Sequence, residues 1–106
     1  MTQVEVLELA WQDLWEARDW YESQLSGLGD EFLMEVRRVI GHVAEAPRQF
    51  PWHRKPMRRA MTNRFPYGIF FCEHDERLYV LAVLHLHRSP RTPGRRLRAF
   101  KKTLRK

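Results

Sequence analysis

The chain has 106 residues, 43% of them hydrophobic, and a formal net charge of +6. That length suits one domain over residues 1–106, and the apolar content argues against wholesale disorder. The lone Cys72 excludes an internal disulfide, and no stretch approaches the roughly 20 continuous apolar residues of a membrane span.

The N-terminus "MTQVEVLELA" lacks the basic and long apolar segments of a secretory signal, so a cytoplasmic setting is expected. Charge is polarised along the chain. Residues 1–47 carry three arginines against ten acids, a net −7, and residues 48–106 carry sixteen Lys and Arg against three acids, a net +13. The second half exceeds what the first can neutralise, so a surface for an anionic or acidic partner is expected.

"VEVLEL" (4–9) alternates and is β-branched, which predicts a short strand. From residue 11 the period changes. Trp11, Leu14, Trp15, Arg18, Tyr21 and Leu25 fall on one helical stripe, which predicts a helix that packs this stripe into the core. On this reading Trp20 lies off the stripe and is partly exposed. "SGLG" (26–29) ends the helix. A second helix follows, with Phe32, Val36, Val39, Ile40 and Val43 on its inner face, Asp30 and Glu31 in its first turn and Pro47 as its stop. The pair reads as an antiparallel αα-hairpin.

Residues 48–56 read as a loop in which Trp52 packs over the core. Residues 57–65 read as a strand, and 67–87 as a hairpin turning at Asp75–Glu76. Its second arm is apolar on both faces: Tyr79, Leu81 and Val83 on one, Val80, Ala82, Leu84 and Leu86 on the other. That marks a central strand. Leu97, Phe100 and Leu104 then recur at helical spacing within a basic tail. The implied fold class is α+β: an antiparallel sheet of about four strands packed on an N-terminal αα-hairpin, in the order β-α-α-β-β-β, with a basic C-terminal tail of helical spacing.

"HLHR" (85–88) is the segment with most chemical potential. If the strand continues through His87, both imidazoles share one face. A metal site needs further ligands, for which only Cys72 and His74 on the neighbouring arm are near. No spaced ligand set is present, so neither metal nor cofactor is expected. A metal-free nuclease would use His85 for proton transfer, with Arg88, Arg58 and Arg59 holding the phosphate. Alternatively His85 caps the end of a buried strand and His87 is solvated. The last nineteen residues carry nine Lys or Arg and no acid. Arg91, Arg95, Arg96 and Arg98, with Leu97 and Phe100 as an apolar seam and Arg64 and His87 beside them, form the expected binding surface for nucleic acid or an acidic protein segment.

The blocks "DLWEARDWYESQLSGLGDEFLMEV", "FPW", "RRAMTNRFPYGIFF" and "VLAVLHLHRSP", in that order, resemble the RelE/ParE superfamily of toxins from type II toxin–antitoxin systems. The resemblance runs from about residue 9 to residue 91. It implies a toxin neutralised by a cognate antitoxin whose acidic segment folds on it, in a toxin–antitoxin hetero-oligomer without membrane partners. "FPYGIFF" and "VLAVLH" followed by "RSP" look more like the ParE-like branch, which implies inhibition of DNA gyrase. The RelE-like branch implies ribosome-dependent cleavage of mRNA. There Arg58, Arg59, Arg64 and Arg88 occupy comparable places, but no tyrosine follows Tyr79, so that branch's C-terminal tyrosine is missing. A non-toxic member that only binds its partner or operator DNA is the third reading.

Overall fold

The computed structural model describes residues 2–87 and 90–105. The order is β1 (Val4–Val6), α1 (Glu8–Gln24), α2 (Leu28–Glu45), a 3₁₀ turn at Pro47–Gln49, β2 (Trp52–Arg54), β3 (Met57–Met61), β4 (Tyr67–His74), β5 (Arg77–His85) and α3 (Thr92–Thr103). The expected order holds, with three refinements. The sheet has five strands, because "WHR" inside the expected loop pairs with β3 as an edge strand. It is mixed, because β1 runs parallel to β5. The helical spacing after Gly94 is that of a true helix.

The spatial order is β1-β5-β4-β3-β2, which places the two most apolar strands at the centre. The α1–α2 hairpin covers one face of the sheet. Ala10, Leu14 and Ala17 of α1 and Phe32, Val36, Val39 and Val43 of α2 pack on Ala60, Ile69, Phe71, Leu78, Val80 and Val83. Phe32 sits against Tyr21, Phe65 and Tyr67 with ring centroids 5.0–5.2 Å away, contacts worth about 0.5–1.5 kcal/mol each beyond area burial. α3 covers β4 and β5 on the other face, through Leu97 and Phe100 against Phe70, Cys72, Leu81 and Ala82.

The hairpin turns tightly at Gly27, whose φ of +90° opens α2. The Glu22 carboxylate accepts the Gly27 and Gly29 N–H groups, both at 2.9 Å. Gly29 permits the close helix approach: a Cβ there would lie 2.6 Å from the Arg18 carbonyl oxygen.

The predicted stripe of α1 is rotated from the true one. The buried residues are Ala10, Leu14 and Ala17, while Trp11 and Trp15 are 45% and 49% exposed. Two alanines let the helix sit close to the sheet, which displaces the bulky indoles to its flank. Trp20 is exposed, as expected.

The second correction concerns β5. A bulge at Leu81 leaves that residue without a partner on β4, where Phe70 pairs with Ala82 and Phe71 with Val80. Strict alternation therefore fails. Leu78, Val80 and Val83 face α1–α2, whereas Tyr79, Leu81, Ala82 and Leu84 face α3.

The bulge is held from both sides. β1 pairs with β5 only at Leu78–Val80. Beyond it, the Asp13 carboxylate of α1 accepts the Val83 N–H at 3.0 Å, and Arg96 of α3 donates to the Leu81 carbonyl at 2.9 Å. Arg96 and Asp13 then close a bidentate pair, both bonds 2.9 Å, with side chains only 16% and 12% exposed.

Candidate functional site

Successive residues of β3 point to opposite faces. Arg58 shares the α1–α2 side with its cross-strand partner Trp52, stacks on that indole 3.6 Å from the ring centroid, and donates to the Phe50 carbonyl at 2.6 Å. Trp52 is thus 47% exposed under a guanidinium and does not seal the core. Arg59 lies on the α3 side. Its stem crosses Gly68, where a Cβ would meet Arg59 Cδ at 3.2 Å and Leu86 Cδ2 at 3.3 Å. Glycine at this position makes room for the arginine.

α3 leaves the β2–β3 part of this face uncovered, and cations gather there. Arg54 of β2 reaches across to α3: its Nη1 lies 3.2 Å from the point a Cβ on Gly94 would occupy, and Arg98 Nη1 lies 3.6 Å from that point. His53 stands edge-on to Phe70, ring centroids 5.0 Å apart. That desolvation, followed by the charges of Arg59 and Arg54, holds His53 below the ordinary imidazole range. Among the described residues, Arg54, Arg59 and Arg98 have no ion pair or side-chain hydrogen bond. Like charges held together without a carboxylate repel, and an anion relieves that repulsion. Arginines suit oxyanions because their fork donates two parallel bonds. The surface cleft between α3 and the β2–β3 edge therefore has the chemistry that suits an oxyanion.

Several expected site residues lie elsewhere. The strand ends at His85, so His87 falls in the following turn and is exposed. Its N–H donates to His85 Nδ1 at 3.1 Å. His85 pairs with Tyr67 across the strands and faces the α1–α2 side, its ring 5.4 Å from the tyrosine. Arg58 is anchored to Phe50 and Trp52, and Arg59 is on the opposite face, so the structure does not bring His85, Arg58 and Arg59 together. Arg88 lies outside the described residues.

Arg64 pairs with Glu31 at 2.9 Å on the surface. Arg91 and Arg95 are exposed at the start of α3, and Arg98 joins the cleft. Three members of the expected binding surface need correction. Leu97 and Phe100 are 5% and 7% exposed because their seam is the contact of α3 with the sheet. Arg96 is consumed by Asp13. Sequence reasoning missed Arg54 and His53, for which the signal was a cationic, aromatic "WHRK" between two prolines. It also missed Asp13, whose partner is 83 residues away.

No family model matches the chain, and no curated protein matches it. Among solved structures it is similar to a chain of the chromosomal ParDE TA system from P. aeruginosa. The TM-score is 0.61 at 17% identity, over 82% of this chain and 98% of that one. The two chains share one fold. Among the described residues no helix is long and apolar enough to cross a membrane, and no group of three His, Cys, Asp or Glu is placed to hold a metal.

Proposed function

We propose that this protein is the toxin of a type II toxin–antitoxin system, acting in the cytoplasm and neutralised by a cognate antitoxin. One observation carries the reading: a cluster of guanidinium groups without carboxylates, built on the fold shared with the ParDE chain. An acidic antitoxin segment that folds on binding fits such a surface. Arg54, Arg59 and Arg98 are the residues that would meet its carboxylates, with Arg91 and Arg95 extending the patch along α3.

For the target we favour inhibition of DNA gyrase through protein contact. Two things support this over mRNA cleavage. The sequence resemblance leans to the ParE-like branch, and among the described residues His85 stands on the other side of the sheet from Arg59, so this proton-transfer group and this phosphate-holding arginine are kept apart. Induced expression tests the reading, with plasmid topology and message integrity followed in parallel. Relaxed or cleaved plasmid with intact messages is the expected result. Cut messages with normal topology would transfer the activity to the nuclease reading, and neither effect, with normal growth, would refute toxicity. Reversal of Arg54 and Arg98 to Glu should weaken binding of the antitoxin encoded beside this gene at least tenfold, through several lost charge-assisted contacts.

A further inference from the structure

The solvent face of α3 carries a straight row of cations. Arg91, Arg95, Arg98, Lys102 and Arg105 follow one another at four, three, four and three residues, so they share one stripe of the helix. Arg91 before the helix and Leu104 after it keep helical backbone angles, and the Arg105 N–H donates to the Lys102 carbonyl at 3.3 Å, which carries the stripe to its end. All five side chains are exposed. Pro93, Leu97 and Phe100 on the opposite stripe are buried, and Leu97 and Phe100 fix the helix to the sheet. The row is thus held rigid over about 20 Å. Carboxylates are engaged elsewhere: Asp30, Glu31, Glu35 and Glu73 pair with arginines away from α3. Among the described residues Asp13 alone reaches α3, and it takes Arg96 from the helix flank. None of the five cations in the row has an ion pair or a side-chain hydrogen bond among the described residues.

We infer that the outer face of α3 binds the phosphate backbone of duplex DNA without reading its sequence. Charge sets the class of ligand: a row of five cations with no anion neutralises phosphates and releases their counterions. Composition argues against an acidic peptide on this face. A segment that orders on binding needs apolar anchors as well as charge, and Leu97 and Phe100 are already committed to the sheet. Single strands are held by stacking on exposed aromatic rings. The exposed tryptophans stand elsewhere, Trp11, Trp15 and Trp20 on α1 and Trp52 beneath Arg58 on the α1–α2 side. Between duplexes, the wide major groove of B-DNA admits a helix, whereas the deep, narrow groove of A-form RNA does not. The inference does not rest on the antitoxin reading. Lys102 and Arg105 lie one and two turns beyond Arg98, the member of α3 that joins the cleft.

The test is a fluorescence-anisotropy titration of a labelled, mixed-sequence DNA duplex of ~20 bp with the whole chain, repeated between about 50 and 200 mM KCl. Saturable binding is expected at roughly 1–100 μM near physiological salt, with log K falling against log salt at a slope of about −4.5, five contacts at about −0.9 each. Arg95→Gln, Lys102→Gln and Arg105→Gln together should flatten the slope to about −2 and weaken binding about tenfold or more. All three positions are exposed, and circular dichroism checks that the fold is kept. Arg37→Gln, Arg48→Gln and Arg64→Gln remove the same charge from the α1–α2 side, beyond the screening length, and should change the affinity less than about twofold. Equal losses in the two triple variants would overturn the site in favour of net charge alone. Tighter binding of a single strand or of duplex RNA, or equal competition by a polyglutamate peptide at matched charge, would overturn the choice of DNA. A slope shallower than about −2 in the unaltered chain would refute the row. Arg54 and Arg98 are untouched throughout, so failure here leaves the antitoxin reading standing.

Discussion

Replacing Arg96 by Met keeps the aliphatic stem of the side chain and removes its charge. The Asp13 carboxylate, 12% exposed, then keeps only the Val83 N–H, and the Leu81 carbonyl at the bulge loses its donor. Stranding one member of a buried pair costs about 3–5 kcal/mol, and the residual exposure here argues for the lower end. About 3 kcal/mol is a large share of the roughly 5–15 kcal/mol that holds a domain together. Near 100 residues each kcal/mol moves Tm by roughly 4 °C, so the midpoint should fall by about 12 °C. Urea unfolding followed by circular dichroism would give the free energy, and an unchanged slope would show that only stability moved. Asp13→Asn should cost a similar amount. The double variant should cost much less than the two together, with a coupling energy of about 1.5–3 kcal/mol. Arg64→Gln is the control: the Arg64–Glu31 pair has side chains 63% and 50% exposed, and breaking it should cost under about 1 kcal/mol. If Arg96→Met costs no more than Arg64→Gln, the pair is an ordinary surface contact and the reasoning fails.

Three further outcomes follow from the same geometry. Gly29→Ala should destabilise by about 1–3 kcal/mol in urea titrations, because its Cβ meets the Arg18 backbone, whereas Gly41→Ala, which meets nothing within 4 Å, should be neutral or stabilising. The His53 pKa, read by proton NMR, should lie below that of a free imidazole, and Arg59→Gln should raise it. Because the unfolded chain binds the His53 proton more readily than the folded one, stability should fall as pH drops below about 6.5. A His53→Gln variant with the same pH slope would refute that link. Cys72 is 2% exposed and burial pushes its thiol up to about 11, so it should resist a thiol reagent at pH 8 and react once the chain is unfolded.

What was legible in the sequence was periodic. The inner face of α2 was plain because five apolar residues repeat at helical spacing with acids off the stripe. The strand pair 67–85 was plain because β-branched and aromatic residues flank a two-residue turn, and Asp75 and Glu76 do adopt positive φ there. Three things were hidden, each for a physical reason. In α1 two alanines, silent in a hydrophobic pattern, mark the buried face more truly than the tryptophans do. In β5 an extra residue breaks the alternation without any change in composition. And the unpaired cations could not be sorted from the paired ones, since Arg96 and Arg98 differ by two positions on one helix. Only the three-dimensional position of Asp13 separates them.

The halt of β1 at Val6 leaves the upper half of the most apolar strand without a neighbouring backbone on that side. An uncovered strand margin is a template on which a second chain can register, and proteins commonly blunt it with charge. Here two side chains from opposite layers do so jointly. A lesion at either would be felt first as concentration-dependent precipitation, well before any change in what the folded molecule recognises.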